Sequence, residues 1–184
     1  MQARLEALAD YGAYVLGEVE QLAKKVDPAA AFDLEASDLD LSLMAFADKK
    51  GTGQPPALRF AAGTNIHPKY WDLDLPIGDG IAGRAAKKVQ PRLFDRRGDI
   101  FYQGAYIEVQ GCPKHEWLLA IPLYREFRDR KYPLGVVNIG TFNEAAADHL
   151  RSLDTPDSIS KLALYASGTL LPALLNPCNR GSKV

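Results

Sequence analysis

The sequence predicts an α+β fold: a central antiparallel sheet, with N- and C-terminal helices on one face and short helices and loops on the other. Three observations predict it. An amphipathic stretch opens the chain and another closes it. Between them, two strongly apolar stretches, 117–123 and 134–142, flank a charged loop at 125–133. Upstream, two shorter stretches alternate apolar and polar residues on either side of a turn-rich loop. Neighbouring strands joined by turns pair antiparallel, and apolar helices must cover them.

Residues 1–36 read as an N-terminal helix and its connection. Leu5, Leu8, Gly12, Val15, Val19, Leu22 and Val26 recur at alternating spacings of three and four. This is a heptad seam, with Glu18, Glu20, Lys24 and Lys25 mostly off it. A strict seam, rather than a broad apolar face, favours a homodimer helix over packing on the chain's own sheet. Asp27-Pro28 ends the helix.

Residues 37–176 form the main domain, C-terminal helix included. Leu39, Leu41 and Leu43 alternate with Asp38, Asp40 and Ser42, the mark of a half-buried strand. After the 49–56 loop, a second strand near 58–62 places Leu58, Phe60 and Ala62 on one face. A short helix is expected at 68–72 and another at 80–89. Residues 91–111 read as irregular, yet they hold Phe94, Phe101, Tyr102 and Tyr106, which suits a loop folded over something apolar. Pro122 inside an apolar strand calls for a bulge or an edge. Thr155 is the expected N-cap of the last helix, with Pro156 first and Asp157 in the first turn. That helix is apolar on two sides, and Pro172 should weaken its end. Residues 177–184 read as a flexible tail.

Composition narrows the function classes. The chain has 184 residues, 47% hydrophobic and 24% charged, which suits a core that needs no metal or disulfide staple. A net charge of −1 gives no basic field for nucleic acid or anionic lipid. The run 125–131 is interrupted by Glu126 and Asp129 and reads as a solvated hairpin end. Only Cys112 and Cys178 are present, with no apolar signal core and no evident membrane span, so a cytoplasmic location is expected.

Gly78, Gly80 and Gly83 satisfy the G-x-G-x-x-G spacing of a dinucleotide site. That chemistry needs a buried strand before the turn and a long helix after it. Here Asp72 and Asp74 alternate with Leu73 and Leu75, Pro76 precedes the turn, Asp79 adds negative charge, and Gln90-Pro91 stops the helix. Gly80 and Gly83 are better explained by close packing of a helix on the sheet.

The same turn, Pro76-Ile-Gly-Asp-Gly-Ile-Ala-Gly-Arg-Ala85, is followed by Gln90-Pro91, then Leu118-Leu-Ala-Ile-Pro-Leu123, then Leu134-Gly-Val-Val-Asn-Ile139. This order resembles the GAF domains, a family of small-molecule sensor and regulatory modules, over residues 37–175. The resemblance implies a pocket between the sheet and the 66–106 side of the domain. Arg59, Trp71, Phe94, Asp95, Asp99, Tyr102 and Trp117 are the candidate ligand-binding residues: aromatics for an apolar wall, and Arg59, Asp95 and Asp99 for orienting contacts. It further implies a non-enzymatic sensor that binds an unidentified small molecule and signals through a helical dimer to an unknown output protein.

No catalytic residue and no metal site are expected. His67, His115 and His149 lack metal-ligand spacing, and no cofactor is implied. A second implication competes. Free methionine sulfoxide reductases of this family carry a reactive cysteine shortly before the apolar-Pro-Leu strand, close to Cys112. They also place a cysteine in the glycine turn, where this chain has Ala82, and an acidic residue after the reactive cysteine, where it has Pro113. The Cys-His pair of bilin-binding relatives and the signature of cyclic-nucleotide binders are absent. A ligand-free interaction module is the third alternative.

Overall fold

Alternation along the strands sorts the apolar residues onto two faces of one sheet. The computed structural model describes residues 1–29, 31–47, 56–98 and 106–175. Its strands are β1 (Asp40–Ala47), β2 (Ala57–Thr64), β3 (Leu75–Pro76), β4 (Arg92–Asp95), β5 (Trp117–Phe127) and β6 (Arg130–Thr141). They lie in the order β3-β2-β1-β6-β5-β4, and every neighbouring pair is antiparallel. The antiparallel β5–β6 hairpin excludes the crossover that a dinucleotide-binding unit requires.

One face carries Leu41 and Leu43 of β1, Trp117, Leu119, Ile121 and Leu123 of β5, and Val137 and Ile139 of β6. It is covered by α1 (Gln2–Val26), α3 (Glu144–Leu150) and α4 (Pro156–Leu175). The other face carries Met44, Leu58, Ala120 and Val136, covered by α2 (Gly80–Lys88). The sheet with terminal helices on one side and a short helix on the other agrees with the expected α+β arrangement.

The heptad seam of α1 is spent inside the chain. Leu8, Gly12, Val15 and Val19, together with Tyr11, are buried in the helix-side core. The Tyr11 hydroxyl donates to the Leu162 carbonyl of α4 at 3.3 Å. Only the end of the seam is open, with Val26 89% exposed. Knobs at heptad spacing fit the groove between a sheet and an antiparallel helix as well as they fit a second copy.

Several local expectations are corrected. Ala62 does not share a face with Leu58 and Phe60: the β1–β2 register shifts between Leu43 and Met44, and this bulge turns Ala62 to the helix side. The expected 125–133 loop is instead the continuation of both strands, closed at Arg128 (φ 48°) and Asp129 (φ 60°), the left-handed pair of a tight hairpin turn. Residues 92–95, read as irregular, form β4, an edge strand too short to show alternation. Pro122 lies inside β5, but β4 reaches only to Ala120, so β5 is a local edge there; a bulge follows at Leu123/Tyr124.

The caps behave as read. Thr155 Oγ1 accepts from the Ser158 N–H at 3.2 Å, and α2 ends on Val89 in a left-handed conformation. A β-carbon on Gly83 would meet the Pro76 carbonyl oxygen at 2.5 Å, so this glycine serves close packing of α2 on β3. Pro156–Leu175 is, contrary to the sequence reading, long and apolar enough to match a bilayer span, with a mean hydropathy of 1.2. Leu162, Ala166, Leu170 and Leu174 of that helix are buried in the core, which accounts for one apolar side. The 177–184 tail lies outside the described residues.

Candidate functional site

The face beneath α2 is not filled. A cavity of about 70 Å³ remains there, room for roughly five water-sized atoms. Its walls are apolar: Met44, Phe60, Leu75, Ile81 and Leu118 contribute. Its floor is polar, because the sheet presents Asp40, Ser42 and Asn138 on this side. Ser42 pairs with Asn138 across β1–β6, and Asp40 pairs with Gly140 one step along the same face. All three side-chain positions are buried.

His115 enters from the loop before β5 and lies over Gly140. A β-carbon at Gly140 would come within 2.7 Å of His115 Cδ2, so the missing side chain makes room for the ring. The ring stacks on Phe142 at a centroid distance of 4.1 Å. Its Nε2 is 2.6 Å from Asp40 Oδ2, and its Nδ1 is 2.7 Å from the Tyr106 hydroxyl. The Tyr106 oxygen accepts the His115 backbone N–H at 3.0 Å, and the Tyr70 hydroxyl donates to the Pro113 carbonyl at 3.3 Å. Burial pushes both phenols up from their ordinary range, so both remain O–H donors at neutral pH. The His115 ring therefore bridges the Tyr106 hydroxyl and the Asp40 carboxylate through its two nitrogens.

Two acceptors on the floor are left over. Asn138 Nδ2 donates to Ser42 Oγ at 2.9 Å, but Asn138 Oδ1 has no partner. Asp40 Oδ1 has none either among the described residues. Buried polar atoms are rarely left unpaired, and two such atoms lining one cavity mark a place for a ligand or water.

Of the seven expected binding residues, the five among the described residues do not line this site. Trp117 is displaced most. It shares parity with Leu119 and Ile121 and is fully buried on the helix side of the sheet. Phe94 is on the cavity side but packs behind Tyr106, with centroids 4.5 Å apart. Trp71 is 41% exposed and touches the outer side of Phe60 at 5.8 Å. Arg59 points to solvent, where it pairs with Asp74 at 2.8 Å. Asp95 makes a bidentate pair with Arg151, both contacts 2.8 Å, which ties β4 to the turn after α3. The hydrogen-bonded Arg151 guanidinium holds the Asp95 carboxyl below its ordinary range. Asp99 and Tyr102 lie outside the described residues.

The polar floor was missed because Asp40 and Ser42 alternate with leucines, as solvated residues would. The available signal was Asn138 within an otherwise apolar strand, and Gly140 two residues on.

Beside this cavity, across Tyr70 and Tyr106, lies a wider surface cleft that includes Cys112. Cys112 is half-buried, and its Sγ is 3.2 Å from His67 Nδ1. Among the described residues no group of His, Cys, Asp and Glu is arranged to hold a metal ion.

No family model and no curated protein matches the sequence. Solved structures do match the fold. A type II free methionine-R-sulfoxide reductase from Thermoplasma acidophilum superposes with a TM-score of 0.51 at 14% identity, covering 94% of each chain. The GAF domain of an Acinetobacter phosphoenolpyruvate-protein phosphotransferase is similar at a TM-score of 0.46 and 16% identity, over 97% of this chain and 99% of that one. A free methionine-R-sulfoxide reductase from Neisseria meningitidis gives 0.47 and 18%, over 94% of both.

The fold is GAF-like. At these identities the likeness concerns the backbone arrangement alone. In this GAF-like domain the cavity lies where the turn and short helix of 76–88 close over the sheet.

Proposed function

We propose that this chain is a GAF-like sensor or regulatory domain that binds a small molecule between the sheet and α2. The observation that carries this reading is the cavity itself: apolar walls over a buried polar floor with two unpaired acceptors. It joins a concave apolar wall to a few orienting polar groups, the usual design of a small-molecule site. Occupancy favours one arrangement of α2 and the Tyr106 segment, and so shifts a population that an output partner reads.

The helices offer a route for that output. With the α1 seam buried, the open surface of the helix layer includes Leu164 of α4, 77% exposed. A homodimer through this surface is the reading to test, by sedimentation of Leu164→Asp against the unmodified chain. An unchanged mass removes that interface.

Ligand binding is tested by native mass spectrometry of the gently purified protein. A co-purifying small compound is expected, and Ala82→Phe, which fills the cavity, should abolish it. A compound retained by the filled variant would place the binding elsewhere.

A second reading has an observation of its own. Cys112 Sγ lies 3.2 Å from His67 Nδ1, the pairing of thiol and base that nucleophilic cysteine chemistry uses. In a sulfoxide reductase the thiolate takes the sulfoxide oxygen, becoming a sulfenic acid while the thioether leaves; an external dithiol then restores the thiol as it is oxidised to a disulfide. Dithiothreitol-dependent reduction of free methionine sulfoxide, lost in Cys112→Ser, would establish this enzyme and displace the sensor reading.

A further inference from the structure

We infer that the cavity selects a small aliphatic ligand with a cationic N–H donor head, a primary ammonium or amidinium, and rejects carboxylates and other anions. This rests on the ligand-binding reading above and specifies its chemistry. The floor is an acceptor surface. Asp40 has a side chain only 9% exposed, and Asn138 is 6% exposed. Each lines the cavity and each has an Oδ1 without a partner among the described residues. Much of the remaining polar capacity is already committed. Asn138 Nδ2 is used by Ser42, His115 Nε2 by Asp40 Oδ2, and the Tyr106 hydroxyl by His115. The donors that remain are the Ser42 hydroxyl hydrogen and the second N–H of Asn138, both on neutral groups and both beside the Asp40 carboxylate.

Charge points the same way. No lysine or arginine lines the cavity among the described residues. A buried carboxylate with an open lone pair favours a cation with N–H bonds over a neutral molecule, and strongly disfavours a second anion.

Position fits one head group. Asp40 and Asn138 project from adjacent strands on one face, with Ser42 directly opposite Asn138. Positions so offset are about 7 Å apart at the backbone. Both side chains line the same cavity. The volume sets the body: roughly five heavy atoms, with the apolar part against Met44, Ile81 and Leu118.

Three isosteric probes test the inference by protein-observed NMR titration of the full chain: isobutylammonium, isobutanol and isobutyrate. Isobutylammonium should bind most tightly, and isobutyrate should leave the cavity resonances unmoved. Asp40→Asn keeps the shape and should reduce the preference for isobutylammonium over isobutanol about tenfold or more. Should that variant fail to fold, Asn138→Ala must lower isobutylammonium affinity in its place. Isobutyrate binding as tightly as isobutylammonium, or an unaltered preference in the folded variant, overturns the selectivity and leaves the cavity reading standing. If isobutanol also fails to perturb the cavity, the binding site itself is refuted, and the selectivity falls with it.

Discussion

Gly140 illustrates how a single position builds the site: the room beneath the His115 ring exists because no β-carbon fills it. Gly140→Ala should push the ring away from Asp40 and destabilise the fold by about 1–3 kcal/mol. A urea titration would show a lower midpoint with unchanged slope; an unaltered midpoint would mean that the ring relocates freely. Tyr106→Phe removes the hydroxyl shared by the His115 ring and its backbone N–H. Leaving those groups unpaired should cost about 1–3 kcal/mol, read the same way. These residues were only partly legible in the sequence. The period of two separates Asp40 and Ser42 from Leu41 and Leu43, but it does not say that the second face is also covered. Trp117 was misplaced for the same reason: it is large and aromatic, yet its parity belongs to the helix side.

The elements follow sequence signals where the signal is local and fail where tertiary packing decides. The α4 cap and the α2 stop were readable from Thr155-Pro156 and Gln90-Pro91. The α1 seam was readable as a stripe, but its partner was not, because a stripe records spacing and not what it touches. Leu8→Ala, inside the chain's own core, should therefore cost about 2–5 kcal/mol. Val26→Ala, at the open end, should stay within about 0.5 kcal/mol. Equal effects in thermal unfolding would contradict the packing of α1 described above.

The β4–Arg151 tie has its own signature. Asp95 is held below its ordinary pKa by Arg151, so the unfolded chain takes up the proton first. Its contribution to stability is present above the unfolded value of about 3.9 and is lost as the pH falls through the lower folded value. Arg151→Ala should flatten that part of the acid limb of stability; an unchanged limb would show that the pair contributes nothing.

At the scale of the molecule, one sheet serves two layers of different quality. The helix side is packed by three helices and holds most of the large buried side chains. The α2 side is thinner, with a smaller core and a partly open space over polar groups. A layer that stops short of close packing forfeits dispersion contacts and leaves acceptors unpaired. A ligand repays both, which links the architecture to the proposed function. The sequence made the fold class readable through its two long apolar stretches and its terminal helices. The resemblance implied a pocket on this side of the sheet, but its lining was not readable, because it depends on what α2 and the Tyr106 segment fail to fill.

Chemical-shift mapping during an isobutanol titration tests the occupancy of that space most directly. The shifts should cluster at Met44, Ile81, Tyr106 and Asn138 and saturate with a single affinity. Shifts confined to α1 and α4, or none that saturate, would contradict a ligand site on the α2 face.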